Sequence, residues 1–373
     1  MRILELGKFY PPHHGGIETL LRSWCVGFAQ KGARVDCVVA NDNSRSESKL
    51  LEGVHVHRCG SYGTLLSTSI SPAYCLKACQ LPSDLWHIHF PNPLADLTTL
   101  LGLRDRKLVI SYHSDVVRQA HLMRLYGPLL HRVLRRADRI IVATPKHLEF
   151  SPWLAPHADR VSCIPFGIDL QRFDAANRDP TKISTLRALA KGRKVVLNVG
   201  RLVPYKGQCF LLDACRDLDV DLWLVGTGPL EAELKARAEA LGLGNRVRFW
   251  GAVEDELLPS ILHACDVFAF PSITPNEAFG LVQVEAMACG KPVICCDLKS
   301  GVPFVNLHQQ TGLVVPPQDT QALRAALIQL LSNPAQAHSL GQAGRTRAHN
   351  EFSLQVMVDR YWGCFKALFA SQA

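Results

Sequence analysis

No run of about 18 uninterrupted apolar residues occurs in the 373-residue chain, so no helix is expected to span a membrane. No CxxC pair occurs among its 13 cysteines, which are scattered and often sit inside apolar runs, as Cys295 and Cys296 do. A zinc site or a disulfide framework needs better spacing, so buried thiols in a reducing cytoplasm are expected. Neither GxGxxG nor GxxxxGKS/T is present; this argues against an ordinary nicotinamide site and against a P-loop. The opening MRILELGKFYPP reaches charge and proline too soon for a signal peptide. Short-period repeats, low-complexity tracts and long charge blocks are also missing.

What is present is an ordinary globular composition, 47% hydrophobic and 20% charged, long enough for two domains and a large core. The net charge of +8 is unevenly spread. Residues 1–172 carry 21 Lys+Arg against 14 Asp+Glu, and the remainder 20 against 19. Between Arg104 and Arg139 there are nine basic and three acidic residues. Within that region Leu122, Leu125, Leu129, Leu130, Val133 and Leu134 recur at near-helical spacing. Two readings stay open: an amphipathic helix packed on its own domain, or a basic face resting on anionic lipid. Nucleic acid is disfavoured, because no aromatic stacking pattern accompanies the charge.

Short β-branched apolar runs alternate with helix-length segments along nearly the whole chain. The runs RILELG, RVDCVVA, VHVHRC, DLWHIHF, KLVISYH, RIIVAT and RVSCIPF fall in the first half. KVVLNVG, DLWLVG, VRFWG, DVFAFPS, PVICCD and GLVVP fall in the second. Apolar strands without clean alternation indicate parallel sheets covered on both faces, hence doubly wound α/β domains. Residues 1–175 are expected to form the first domain and 176–352 the second, with a C-terminal helix, 353–373, crossing back to the first.

Ligands of open α/β sheets sit beyond the carboxyl ends of strands, so the loops that follow strands are the informative ones. After RILELG, Gly15 and Gly16 precede a helix expected near Ile17, where backbone amides can approach an anion closely. After KVVLNVG, Arg201 and Lys206 lie between Gly200 and Gly207, two cations suited to a diphosphate. After DVFAFPS, the loop carries Glu277, and a helix is expected from Phe279 with Glu285 inside it. The amides of Phe279, Gly280 and Leu281 would then point at a ligand. The two carboxylates would stand roughly 8–12 Å apart along the helix, a separation that suits the hexose and the ribose of a nucleotide sugar. His113 again ends a strand. His87 and His89 face the same way on another, and no third metal ligand accompanies them.

GGIE, SYHSD, GRLVPYKG, VGTGPLE, PFGID and the E-x7-E of PNEAFGLVQVEAMACGKPV resemble, in order and over nearly the whole chain, the retaining glycosyltransferases of family 4. The resemblance implies the GT-B architecture, two Rossmann-like domains facing a cleft. It implies that Arg201 and Lys206 neutralise the donor diphosphate, that Glu277 holds the transferred hexose and that Glu285 holds the ribose. Phe279, Gly280 and Leu281 would supply amides, Gly16 would close over the diphosphate, and His113 would stand near the sugar. No cofactor and no obligatory metal are implied, and no protein nucleophile is assigned. A narrower similarity points to bacterial enzymes that add mannose or D-rhamnose from a GDP-sugar to lipid-linked O-antigen or lipopolysaccharide chains. A UDP-sugar donor is the alternative, and an epimerase or a non-catalytic binder on the same scaffold a more distant one. The expected partners are a nucleotide sugar, a lipid-linked oligosaccharide and an anionic membrane surface met through the 104–139 region. The expected location is the cytoplasm, including the inner face of the plasma membrane.

Overall fold

The computed structural model describes residues 1–13, 16–65, 68–102, 105–115, 123–174 and 177–370. The chain divides into two compact units, Met1–Ile168 with Leu354–Ala373, and Asp169–Ser353.

The first unit is built on an eight-stranded sheet. Its strands are β1 (Arg2–Leu6), β2 (Arg34–Ala40), β3 (Glu47–Leu51), β4 (Val54–Cys59), β7 (Leu85–Phe90), β8 (Lys107–Tyr112), β9 (Arg139–Val142) and β10 (Val161–Cys163), in the order β10-β9-β8-β7-β1-β2-β4-β3. β5 (Thr64–Leu65) and β6 (Thr68–Ser69) form a separate antiparallel pair. Within the large sheet every pairing is parallel except β3 against β4. The central strands are buried along nearly their whole length, as parallel strands sandwiched between helices must be. β3, ESKLL, is largely exposed and carries no apolar run, which is why the pattern of runs passes over it. Its charged residues suit an edge.

The second unit holds β11 (Lys194–Val199), β12 (Val220–Val225), β13 (Val247–Gly251), β14 (Val267–Phe270), β15 (Val293–Cys296) and β16 (Gly312–Val315) in the order β13-β12-β11-β14-β15-β16, all parallel. The strand order reverses between β11 and β14, which makes that gap the topological switch point.

The units part between Ile168 and Asp169, seven residues before the expected 175/176 boundary. The reason is local packing. Phe173 is buried at 2% exposure, its carbonyl accepts from His263 Nε2 at 3.0 Å, and Asp174 pairs with Arg345 and His349. The helix Pro180–Ala188, capped by Asp179, lies against the helix Leu258–Ala264. The other crossing falls between Ser353 and Leu354, and the helix Leu354–Ala370 packs on Gly16–Gln30 of the first unit. A Cβ added at Gly27 would come 2.4 Å from Val358 Cγ2, so this glycine sets how closely the two helices approach. Gly27→Val is expected to cost about 1–3 kcal/mol of stability in urea melts by forcing that contact apart. An unchanged midpoint would mean that the returning helix is not held there.

Candidate functional site

The loops leaving β11 and β14 meet at the switch point, and the residues singled out in the second unit sit on them. Gly200 follows β11 at φ 154°, and its amide donates to Val225 O at 2.9 Å, which keeps the turn attached to β12. A short 3-10 turn, Pro204–Lys206, brings the chain to Gly207 at φ 69°. A Cβ there would lie 2.1 Å from the Pro271 carbonyl oxygen, so only glycine permits this approach to the loop after β14. Ile273 N donates to Tyr205 O at 2.9 Å and ties the two loops together.

Lys206 and Glu277 are thereby joined. Lys206 Nζ lies 2.5 Å from Glu277 Oε2, and the two side chains are 13% and 12% exposed. The ammonium also sits 4.9 Å above the Phe270 ring, and the Ser272 hydroxyl donates to Glu277 at 3.4 Å. Arg201 stays exposed, its guanidinium 3.3 Å from the Tyr205 hydroxyl. The site thus offers one cation open to solvent and one already held by a carboxylate.

The helix after Glu277 is shorter than expected. It spans Leu281–Ala288 and is preceded by Gly280 at φ 76°, so it begins at Leu281 rather than Phe279. The left-handed backbone at Gly280 is what stops the helix from reaching back to Phe279; a Cβ there would meet the Phe270 ring at 2.7 Å. Phe279 is buried, its ring edge-on to Phe352. Leu281 opens the helix, where first-turn amides lack intrahelical acceptors. Glu285 is one turn in and only partly exposed. Burial pushes its carboxyl up to about 7, with the charge of Arg172 opposing and that of Asp255 adding to the rise. Neither Arg172 nor Asp255 stands out in the sequence, since one lies in the connecting segment and the other in the loop after β13.

In the first unit Gly16 is the first residue of the helix Gly16–Gln30, and a Cβ added there would meet nothing within 4 Å. Gly15 lies outside the described residues, as does Arg104. His113, after β8, is 6% exposed; its Nε2 is 3.2 Å from His89 Nδ1, and its carbonyl accepts from His147 Nε2 at 3.0 Å.

The third partner that the histidine pair lacked in sequence is present. Glu5 of β1, wholly buried, stands beside His87 in the sheet register. Its Oε1 is 3.0 Å from His87 Nδ1 and its Oε2 3.0 Å from His89 Nε2. The ligand atoms of Glu5, His87 and His89 lie within 4.8 Å of one another. Each ring nitrogen has its own carboxylate oxygen, which is an arrangement of hydrogen bonds. A zinc ion would instead need these lone pairs about 2.0–2.2 Å from one centre. A lone glutamate in the apolar run Ile3-Leu4-Glu5-Leu6 was the sequence signal for it.

Of the 104–139 region the structure describes 105–115 and 123–139. The helix Met123–Arg136 buries Leu130, Val133 and Leu134 in the core and leaves Arg124, His131, Arg132 and Arg135 exposed. Beside it, Leu97, Leu100 and Leu101 of the helix Pro93–Gly102 are also exposed. Among the described residues no helix is long and apolar enough to cross a membrane.

Comparison with known proteins places these features in context. Residues 181–347 match the family described as "Glycosyl transferases group 1", and residues 14–172 match "Glycosyltransferase Family 4". The chain is 32% identical over its full length, and over the full length of the relative, to the O-antigen chain mannosyltransferase C of Escherichia coli. It is 34% identical to the D-rhamnosyltransferase WbpZ of Pseudomonas aeruginosa, covering 95% of this chain and 92% of that one. Among solved structures, sucrose-phosphate synthase from Thermosynechococcus elongatus superposes with TM-score 0.80 at 25% identity over 99% of both chains. Anabaena HepE in complex with UDP superposes with TM-score 0.78 at 23% identity, over 98% of this chain and 100% of that one.

The Lys206–Glu277 pair is expected to organise the two loops. A double-mutant cycle of Lys206→Met and Glu277→Gln in urea melts should give a coupling of about 1 kcal/mol or more. A coupling of zero would remove the pair from that role.

Proposed function

We propose, on the premise that the chain belongs to family 4 of the glycosyltransferases, that it moves mannose or D-rhamnose from a GDP-sugar to a lipid-linked glycan of the O-antigen type. The observation that carries the reading is the convergence of Arg201, Lys206 and Glu277 at the switch point of a six-stranded parallel sheet. The hexose choice is supported by the mannosyl- and rhamnosyltransferase relatives that match over nearly the whole chain.

The residues divide the work as follows. Arg201 and Lys206 bind the diphosphate and stabilise the charge that grows on it as the bond from the anomeric carbon breaks. Lys206 is shared between that diphosphate and Glu277, which keeps the ammonium aimed and holds the hexose hydroxyls through its other oxygen. Amides of Phe279, Gly280 and Leu281 serve sugar and phosphate, while the family resemblance assigns Gly15 and Gly16 to the diphosphate and His113 to the hexose. Glu285 receives the ribose hydroxyls, and the backbone at Gly251–Val253, where β13 ends, reads the base. The acceptor hydroxyl attacks from the face the diphosphate leaves, and its proton passes to a departing phosphate oxygen, so configuration is retained. No protein nucleophile, cofactor or obligatory metal enters this scheme.

The acceptor is lipid-linked, and the exposed Arg124, Arg132 and Arg135 next to exposed Leu97, Leu100 and Leu101 supply both the charge and the apolar surface that an anionic bilayer attracts. The protein works in the cytoplasm at the inner face of the plasma membrane; its 13 cysteines, all free thiols, suit that reducing compartment.

A thermal-shift panel of GDP, UDP, ADP and their common sugars tests the donor. GDP at 100 times its dissociation constant should stabilise by about 2.7 kcal/mol, an effect lost in Arg201→Ala. Preference for UDP would overturn the base, and no response to any of them would overturn the site. Glu285 accepts from two hydroxyls only when ionised, and its free-state value of about 7 leaves it half protonated at neutrality. Nucleotide affinity should therefore rise with pH through about 7 and lose that dependence in Glu285→Gln. Sedimentation with vesicles of phosphatidylethanolamine and phosphatidylglycerol tests the surface. Reversing Arg124, Arg132 and Arg135 to glutamate should lower binding at least about tenfold, and undiminished binding would discard this face.

A further inference from the structure

Six polar side chains in the first unit form a continuous buried chain, of which the proposed chemistry uses only His113. From the returning helix, Tyr361 OH is 2.8 Å from Ser111 Oγ, which is 2.8 Å from His87 Nε2. His87 Nδ1 meets Glu5 Oε1, Glu5 Oε2 meets His89 Nε2, and His89 Nδ1 meets His113 Nε2. Tyr361, Ser111, His87 and Glu5 are at most 1% exposed, His89 4% and His113 6%. Burying such a set costs free energy unless every donor finds an acceptor.

The donor and acceptor rules then fix the protons. Burial raises the Glu5 carboxyl, but the charge and hydrogen bond of His87 and the hydrogen bond of His89 outweigh it and bring it down to about 2. Glu5 is therefore an ionised acceptor on both oxygens. Burial and the neighbouring His87 lower His89 to about 4 against the pull of Glu5, and burial with the neighbouring histidines lowers His113 as well. Both rings are neutral at pH 7. A neutral His89 that donates from Nε2 to Glu5 has a bare Nδ1, and the partner of that lone pair is His113, which must donate from Nε2. His113 is left with a bare Nδ1, which has no partner among the described residues.

We infer that Glu5 and His89 are positioning residues that hold His113 as the Nε2–H tautomer, so that its bare Nδ1 is a hydrogen-bond acceptor for a sugar hydroxyl. The ring is kept in place by Trp24: His89 and His113 lie side by side, 6° apart in tilt with centroids 5.4 Å apart, and both stack against the Trp24 indole. A buried carboxylate thereby reaches the site through one ring without exposing its charge there. The role at the hexose rests on the function proposed above; the tautomer does not.

Nitrogen-15 NMR of the histidine-labelled protein reads the tautomer directly, with His113 identified by the signal lost in His113→Gln. A protonated Nε2 and a bare Nδ1 are expected in the wild type, and protonation at Nδ1 would overturn the proposal whatever the activity. His89→Phe keeps a ring in the stack but removes the acceptor. It should lower kcat/KM for the nucleotide sugar about tenfold while leaving binding of free GDP, which has no hexose, unchanged. His89→Asn, which places an amide oxygen near the former Nδ1, should restore much of the loss. Wild-type transfer by His89→Phe, or equal loss of GDP binding, would overturn the positioning role. A wild type that transfers from no donor would instead sink the proposed function, with the tautomer still decided by the spectrum.

Discussion

Everything in the second unit's site follows from one adjacency, β11 beside β14. Parallel strands covered by helices on both faces expose their loops only at their ends. Where the strand order reverses, neighbouring loops lead off to opposite sides and leave a crevice between them. Arg201, Lys206 and Glu277 would be ordinary surface charges on another pair of strands. Here the two loops are stitched by the Ile273 amide and the close approach at Gly207, which makes the Lys206–Glu277 contact a consequence of topology. An ion pair this sheltered is costly to form alone, because both partners give up water. Beside it Arg201 stays open to solvent.

The first unit uses the opposite device. It keeps a carboxylate deep in the sheet, with no lysine or arginine paired to it among the described residues, and surrounds it with imidazoles. Parallel register places Glu5 opposite His87, and the two-residue period of β7 brings His89 to the same face. The sheet itself therefore carries polarity from its middle to its rim. Together the units have the GT-B type of fold, two parallel-sheet α/β domains.

Most of the strands were legible because a parallel, doubly covered strand writes itself as an unbroken apolar run. β3 was not, since an exposed edge strand needs no such run. The loops bearing Arg201, Lys206 and Glu277 could be picked out as strand-end loops, yet the pairing of Lys206 with Glu277 depends on strand order, which local sequence does not encode. The start of the helix at Leu281 turned on the backbone angle of Gly280, where glycine is compatible with several conformations. Glu5 was visible as a charge out of place in RILEL, but its partners lie 82 and 84 residues away and become neighbours only through a crossover. Phe173 shows the same limit: its segment was expected to close the first domain and packs as part of the second unit.

The helix Leu354–Ala370 belongs to the first unit but comes last in the chain. On a ribosome, the segment Asp169–Ser353 is made between the body of the first unit and the helix that completes it. At about 5–20 residues per second this interval is roughly 10–40 s. Until then the surfaces of Trp24 and Phe28 that meet Tyr361 and Phe365 have no cover, and the hydroxyl that closes the buried polar chain has not been synthesised. The second unit has all its residues before the first does, so the nascent chain holds one half ready while its other half waits for the final turn of translation.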